Sequence, residues 1–278
     1  MGTDPTSVAA VQLAPEMGDV PGNRQRALDA VGAAAHAGAQ VVVLPELATT
    51  GYCFRNADEA RALAEPLDGP TIAALHESAA EHDVVVAAGL AVLEADGTLR
   101  NSAVLVDADG LRTTYHKVHL WAREPEFFTP GDAPPTVVDT RHGRLGLLVC
   151  YDLEFPEWVR RLALDGAELV CAPVNWPDPG RPAGERPLEV VTAQVAAATN
   201  RVFLAVADRV GEERGTSWVG GSVIAGPEGY PLALSPLDGR TAVLLADCDL
   251  AEARDKAVGP LNDRFVDRRP HLYGFPGE

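Results

Sequence analysis

Cysteine, basic charge and long apolar runs are all scarce in this chain, and each shortage removes a class of function. The four cysteines, Cys53, Cys150, Cys171 and Cys248, stand far apart and form no Cys-x-x-Cys pair. Neither a disulfide framework nor a zinc site is suggested, so reduced thiols are expected. Lys and Arg number 23 against 40 Asp and Glu, a formal net charge of -17. That charge repels phosphate backbones, and the cations are scattered rather than gathered into a stripe, which argues against nucleic acid and anionic membranes as partners. No apolar run reaches the roughly 18 residues needed to cross a bilayer. The opening MGTDPTSVAAVQLAP lacks the basic flank and long apolar stretch of a secretory signal, and the cytoplasm is the expected location.

What is present reads as an interleaved fold. Hydrophobic residues make up 46% and charged residues 23%, a globular rather than a disordered balance. Strand-like runs recur: SVAAVQL near residue 10, then 39–45, 84–93, 145–150, 167–174, 201–207 and 220–226. Most are apolar throughout instead of alternating, which implies strands covered on both faces. Alanine-rich segments at 22–38, 70–82, 156–166 and 184–199 supply helices as the cover, so the expected class is α/β. The richest Pro/Gly stretch, NWPDPGRPAGERP at 175–187, has the length of an ordinary loop, and one domain spanning 1–278 is expected.

Three residues with complementary chemistry each follow an apparent strand. Cys150 closes LGLLVC and is followed at once by YDLEFPE, where Pro156 opens a helix. A strand, tight turn and helix can lift a side chain out of a sheet, favour thiolate at the helix start and aim the Tyr151 N–H at an oxyanion. Glu46 follows AQVVVLP, where burial would raise its pKa toward that of a general base. Lys117 follows LRTTYH and could stabilise developing negative charge. Alone, each has a duller reading: free cysteine is a common core residue, a strand-end glutamate a cap, and a lysine a solvated cation. Together they make a nucleophile, a base and an electrophilic stabiliser. Glu124 in WAREPEFF could hold the lysine or a leaving group, with Glu126 as the competing choice. His116 and His119 lack the spacing of a metalloprotease helix, and no metal or organic cofactor is expected.

The segments VVVLPELATTGY, YHKVHLWAREPEFFTPGD and LGLLVCYDLEFPEWVRRLALDGAELV resemble, in order and spacing, the three catalytic blocks of the nitrilase superfamily of carbon–nitrogen hydrolases. ATNRVFLAVADRVG, WVGGSVIAGPEGYPL and DRRPHLYG resemble later blocks, so the resemblance covers nearly the whole chain. It implies Glu46 as general base, Lys117 as stabilising lysine, Cys150 as nucleophile and Glu124 as second glutamate. It also implies a four-layer α-β-β-α sandwich that forms a homodimer or higher homo-oligomer, with residues 260–278 as a partner-contacting tail. Two positions depart from the common pattern: Thr199 where many relatives carry Glu, and Asp208 where Asn is common.

Within the superfamily, Tyr151 and Asp152 after the cysteine resemble amidases more than nitrilases, which commonly have Trp and Glu there. Carbamoylases acting on carbamoyl amino acids usually place an arginine in the turn occupied here by Leu153 and Glu154. The expected substrate is a small linear amide, with nitrile and carbamoyl compounds as alternatives, and Tyr52, Asn175 and Trp176 are expected pocket walls. Glu154 has two readings. Facing the substrate, it would exclude acidic amides by like-charge repulsion; facing away, it would pair with Arg160 or Arg161.

Overall fold

Valine, leucine and alanine dominate the runs that become strands, and the computed structural model, which describes residues 5–274, shows why those runs are apolar on both faces. The first half of the chain forms β1 (Thr6–Gln12), α1 (Val20–His36), β2 (Val41–Val43), α2 (Ala57–Leu63), α3 (Pro70–His82), β3 (Val85–Leu93), β4 (Leu99–Asp107) and β5 (Gly110–His116). The second half forms β6 (Val137–Thr140), β7 (Gly143–Leu147), α4 (Pro156–Leu164), β8 (Leu169–Pro173), α5 (Leu188–Asn200) and β9 (Phe203–Ala207). A short hairpin of β10 (Glu212–Glu213) and β11 (Thr216–Ser217) follows, then β12 (Val223–Ala225), β13 (Pro231–Leu234) and β14 (Ala242–Cys248).

Two six-stranded sheets result, ordered β14-β1-β2-β3-β4-β5 and β13-β12-β9-β8-β7-β6. Each has a parallel centre, β1-β2-β3 or β9-β8-β7, flanked by antiparallel strands. Alternation along the first sheet divides its side chains between two cores. Val8, Ala10, Val41, Val43, Val85 and Ala87 face the second sheet. Their neighbours Ala9, Val11, Val42, Val86 and Ala88 pack on Ala27 and Val31 of α1 and Leu75 and Ala79 of α3. On the far side, Val159 and Leu162 of α4 and Val190 and Ala193 of α5 cover the second sheet. Burial contributes about 1.5–3 kcal/mol for each Val or Leu, so a strand covered twice is apolar at every position. The layers are helix, sheet, sheet, helix, as the resemblance implied.

Some boundaries differ from the sequence reading. β7 stops at Leu147, and Cys150 opens a separate 3-10 turn, Cys150–Glu154, before α4. α5 begins at Leu188 rather than 184, because Gly184 takes φ +85° and Pro187 sits at its N-cap with extended backbone. The seven-residue α2 is too short to show a helical period. No helix among the described residues is long and apolar enough to cross a membrane. Of the expected tail, 260–278, Asn262–Asp263 pairs back onto Ala257–Gly259 just ahead of it, while residues 275–278 lie outside the described residues.

Candidate active site

Each reacting side chain is set by a loop leaving a parallel centre or its flank. After β2 the chain passes Pro45 and Glu46 into Leu47, whose φ of +48° turns it sharply. Gly89 on β3 permits this, since a Cβ there would stand 2.4 Å from Glu46 Cα. The loop is tied to both sheets: Ala48 N–H donates to Gly89 O (2.9 Å), and Asn175 Nδ2, beyond β8, donates to Glu46 O (2.8 Å). Lys117 follows β5, its N–H donating to Asn101 O (2.8 Å) and its carbonyl accepting from Gly131 N–H (2.8 Å).

Cys150 takes φ +48°, a left-handed conformation that costs an ordinary residue about 1–2 kcal/mol. Asp152 holds the turn. Its Oδ2 accepts from Val149 N–H (3.2 Å) and from the Tyr115 hydroxyl (2.8 Å), while Oδ1 accepts from His119 N–H (3.1 Å) and faces His119 Nδ1 at 2.7 Å. Trp158 Nε1–H donates to the Tyr115 hydroxyl (2.8 Å), and the His119 ring stacks on Phe155. The Tyr151 N–H is a first-turn donor, a position that helix carbonyls leave free.

Lys117 Nζ lies 2.8 Å from Glu46 Oε1 and 2.7 Å from Glu124 Oε1, with all three side chains buried. Asn101 Nδ2 also donates to Glu46 Oε1 (2.7 Å), and the Tyr52 hydroxyl donates to Glu124 Oε1 (2.6 Å). Glu46 Oε2, by contrast, has no hydrogen-bond partner among the described residues. Burial raises Glu46 to about 6 against the pull of Lys117. Burial would lower Lys117, but Glu46 and Glu124 outweigh it and hold the ammonium protonated above its ordinary value. The Cys150 thiol donates to Asn175 O at 3.7 Å. Burial and then Glu46 push it well above the usual thiol value, with Lys117 opposing. The shift runs opposite to the thiolate that the sequence reading expected a helix start to favour: burial keeps the proton on sulfur until a base removes it.

Outside this cluster a cleft of about 440 Å³ is lined by Tyr52, Phe54, Trp121, Phe127, Phe128 and Trp218, together with Glu124, Pro177 and three arginines. Cys150, a residue only 7% exposed, does not itself line it. A buried ion pair braces the wall. Glu213 Oε1 accepts from the Tyr52 and Cys53 N–H groups (2.8 and 2.6 Å), and its Oε2 lies 2.8 Å from Arg209 Nη2. Arg209 covers the Trp218 ring, which meets Tyr52 edge to face.

A family model for carbon-nitrogen hydrolases matches residues 7–257. The chain belongs to the carbon–nitrogen hydrolase family. A protein named nitrilase from Pyrococcus abyssi is 38% identical to this hydrolase over 267 residues, 96% of this chain and 98% of its own. An (R)-stereoselective amidase from Pseudomonas sp is 34% identical, with 92% and 90% covered. An amidase structure from Nesterenkonia sp. superposes with TM-score 0.79 at 29% identity, over 98% of this chain and 96% of that one. A variant of the amidase from Nesterenkonia sp. AN1 carries the acetamide moiety of fluoroacetamide covalently at its active-site cysteine.

Of the sequence-selected residues, the hydrolase brings Glu46, Lys117 and Glu124 into direct contact, with Cys150 in their electrostatic field and Asn175 against Glu46 and the thiol. Glu126 is exposed and pairs with Arg123. Tyr52 lines the cleft. Trp176 is buried and packs by Gly221, and its neighbour Pro177 lines the cleft. Glu154 needs correction. In a 3-10 turn every third residue shares a face, so Leu153 is buried beneath Cys150 and Glu154 turns out to solvent near Glu189. Neither reading of Glu154 holds, because Arg160 bonds Thr199 O and Arg161 pairs with Asp165.

Sequence reasoning missed Asn101, Tyr115, His119, Arg209 and Glu213 as parts of the site. Asp208, noted only as a departure, is explained. Its Oδ1 accepts from Trp176 and Arg209 N–H, and its Oδ2 from Gly221 N–H (3.0, 2.8 and 2.8 Å). An Asn there would turn an NH2 group toward one of these donors.

Proposed function

We propose that this enzyme hydrolyses linear amides to a carboxylic acid and ammonia through a thioester. The supporting observation is a buried Cys150 thiol held against Asn175 O, in the field of a buried Glu46 that keeps one oxygen free while Lys117 and Asn101 hold the other. Glu46 takes the thiol proton as Cys150 Sγ bonds to the amide carbon, and the oxyanion rests on Lys117 and the Tyr151 N–H. When the carbon–nitrogen bond breaks, the leaving nitrogen takes the proton from Glu46 and departs as ammonia. Glu46 then removes a proton from water, which attacks the thioester, and the expelled sulfur recovers that proton. Glu124 orients the lysine.

The turn after Cys150 carries the amidase-like pair Tyr151 and Asp152, with Asp152 holding it through Val149 N–H, Tyr115 and His119, and that supports an amide over a nitrile. The test is ammonia release across amides, nitriles and carbamoyl compounds, with mass spectrometry of the trapped acyl-enzyme. Amides should give the highest kcat/KM and an adduct on the peptide containing Cys150. A nitrile preference, or an adduct elsewhere, would overturn the reading. For assembly we propose a homodimer through α4, α5 and the tail, on the exposed apolar face of Leu164, Leu188, Val191 and Val195. Light scattering that gives a monomer mass would refute it.

A further inference from the structure

Charge in the cleft is graded from one end to the other, and hydrolysis of a simple amide makes no use of the gradient. On the cleft's buried side stands Glu124, which shares the Lys117 ammonium with Glu46 behind it. The middle is aromatic, walled by Phe54, Trp121, Phe127, Phe128 and Trp218. At the outer end stand Arg55, Arg123 and Arg214, in a chain whose net charge is -17.

Two of these arginines are committed within the fold. Arg214 grips both oxygens of Glu59 at 2.7 Å and also bonds Cys53 O, and that contact pulls Glu59 to about 2. Arg123 pairs with Glu126 at 2.7 Å and lies over the Phe127 ring. Arg55 has no carboxylate within ion-pair distance among the described residues, yet its backbone is pinned. Its N–H donates to Glu59 Oε2 (2.7 Å), and its carbonyl accepts from Arg123 Nη2 (3.5 Å). Since Glu59 and Arg214 neutralise each other, and Glu126 and Arg123 likewise, one positive charge remains at the mouth.

A ligand matching all three zones has a neutral carboxamide inside, an aromatic or bulky apolar body in the middle, and an anion outside. The volume of about 440 Å³ is that of a site for a ligand well beyond acetamide, within the range of about 300–1,000 Å³ for such pockets. We propose that the substrate is an amide whose acyl group carries such a body and ends in a carboxylate held by Arg55. The proposal rests on the amide-hydrolysis reading and reverses the charge preference that Glu154 suggested in the sequence.

The test uses a phenylpropanamide bearing a para carboxylate and its para acetyl counterpart, which is neutral and of nearly the same shape. For the parent, kcat/KM from ammonia release should favour the carboxylate by roughly tenfold, the scale of one charge-assisted hydrogen bond. The preference should shrink with added salt. Arg55→Ala should bring the ratio toward one, and Arg55→Glu should invert it. Calorimetry of both amides on Cys150→Ala, with and without Arg55→Glu, reads the same selection without turnover. If ratio and relative affinity are both indifferent to Arg55→Glu, the proposal is overturned. If neither amide binds Cys150→Ala, the cleft is not the acyl site and the proposal falls as well. Selective binding with no ammonia from either amide would keep the assignment of Arg55 and sink amide hydrolysis instead.

Discussion

Glu46, Lys117 and Cys150 each follow a strand of a buried sheet, and their main chains are bonded to neighbouring strands or loops within a residue or two. The outer cleft is made differently. Residues 52–55, 121–128 and 214–218 belong to three segments far apart in the chain. They are joined through side chains: Glu213 to Tyr52 and Cys53, Arg214 to Glu59, Tyr52 to Glu124. The inner cluster is thus fixed by the sheets and the outer wall by a few ion pairs, which separates the residues that set rate from those that set selection.

Substitutions should expose that division. The largest effect is expected from Cys150→Ala, with activity down at least ~10⁴-fold, the scale of losing a nucleophile, while circular dichroism stays unchanged. Cys171→Ala, in the adjacent strand, should keep turnover, and equal losses from both cysteines would erase the distinction. Lys117→Met should lower kcat by at least ~100-fold, as for one oxyanion donor. It should also lower Tm, because two buried acids are left facing each other.

The pH profile comes next. Glu46 acts as a carboxylate, so kcat/KM should fall as pH drops through about 6, where it takes up a proton. Asn101→Ala removes a donor that favours the charged form. The acid limb should therefore move to higher pH, and an unmoved limb would detach Glu46 from the titration.

In the outer wall, Glu213→Gln should raise KM more than it lowers kcat, because Tyr52 and Cys53 lose a charged acceptor. It should also cost about 3 kcal/mol of stability, since Arg209 is left buried without its partner. A change confined to kcat would place Glu213 with the inner cluster. The smallest effect belongs to Arg123→Ala, at a pair about 60% and 54% exposed. It should change kcat/KM by no more than roughly twofold, as exposed pairs do.

The same division explains what could be read from sequence. Glu46, Lys117 and Cys150 were legible because a reactive residue at the end of an apolar run has a local signature, and strands covered on both faces followed from runs apolar at every position, the four-layer sandwich itself coming from the family resemblance. Asn101 acts on Glu46 across 55 positions and Glu213 on Tyr52 across 161, and no local pattern announces such pairings. His119 was visible only as one of two histidines unsuited to a metal, since its partner Asp152 lies 33 residues away. Glu154 misled because distance from the nucleophile along the chain says nothing about direction in a 3-10 turn.

Glu46 and Lys117 hang from one sheet and Cys150 from the other, so how closely base and sulfur approach depends on the spacing of the two sheets. Face-packed sheets stand about 10 Å apart, a distance set by the side chains that fill the space. Here many are small: Val8, Ala10, Val43, Ala87 and Ala205 all belong to that filling. The interior therefore acts as a gauge block for the reaction, and one methyl group added or removed far from the substrate would detune the approach of base to sulfur before it threatened folding. Drift in such a core is bounded by chemistry as well as by stability, and tolerated changes should come as opposed pairs, a larger residue on one sheet met by a smaller one on the other.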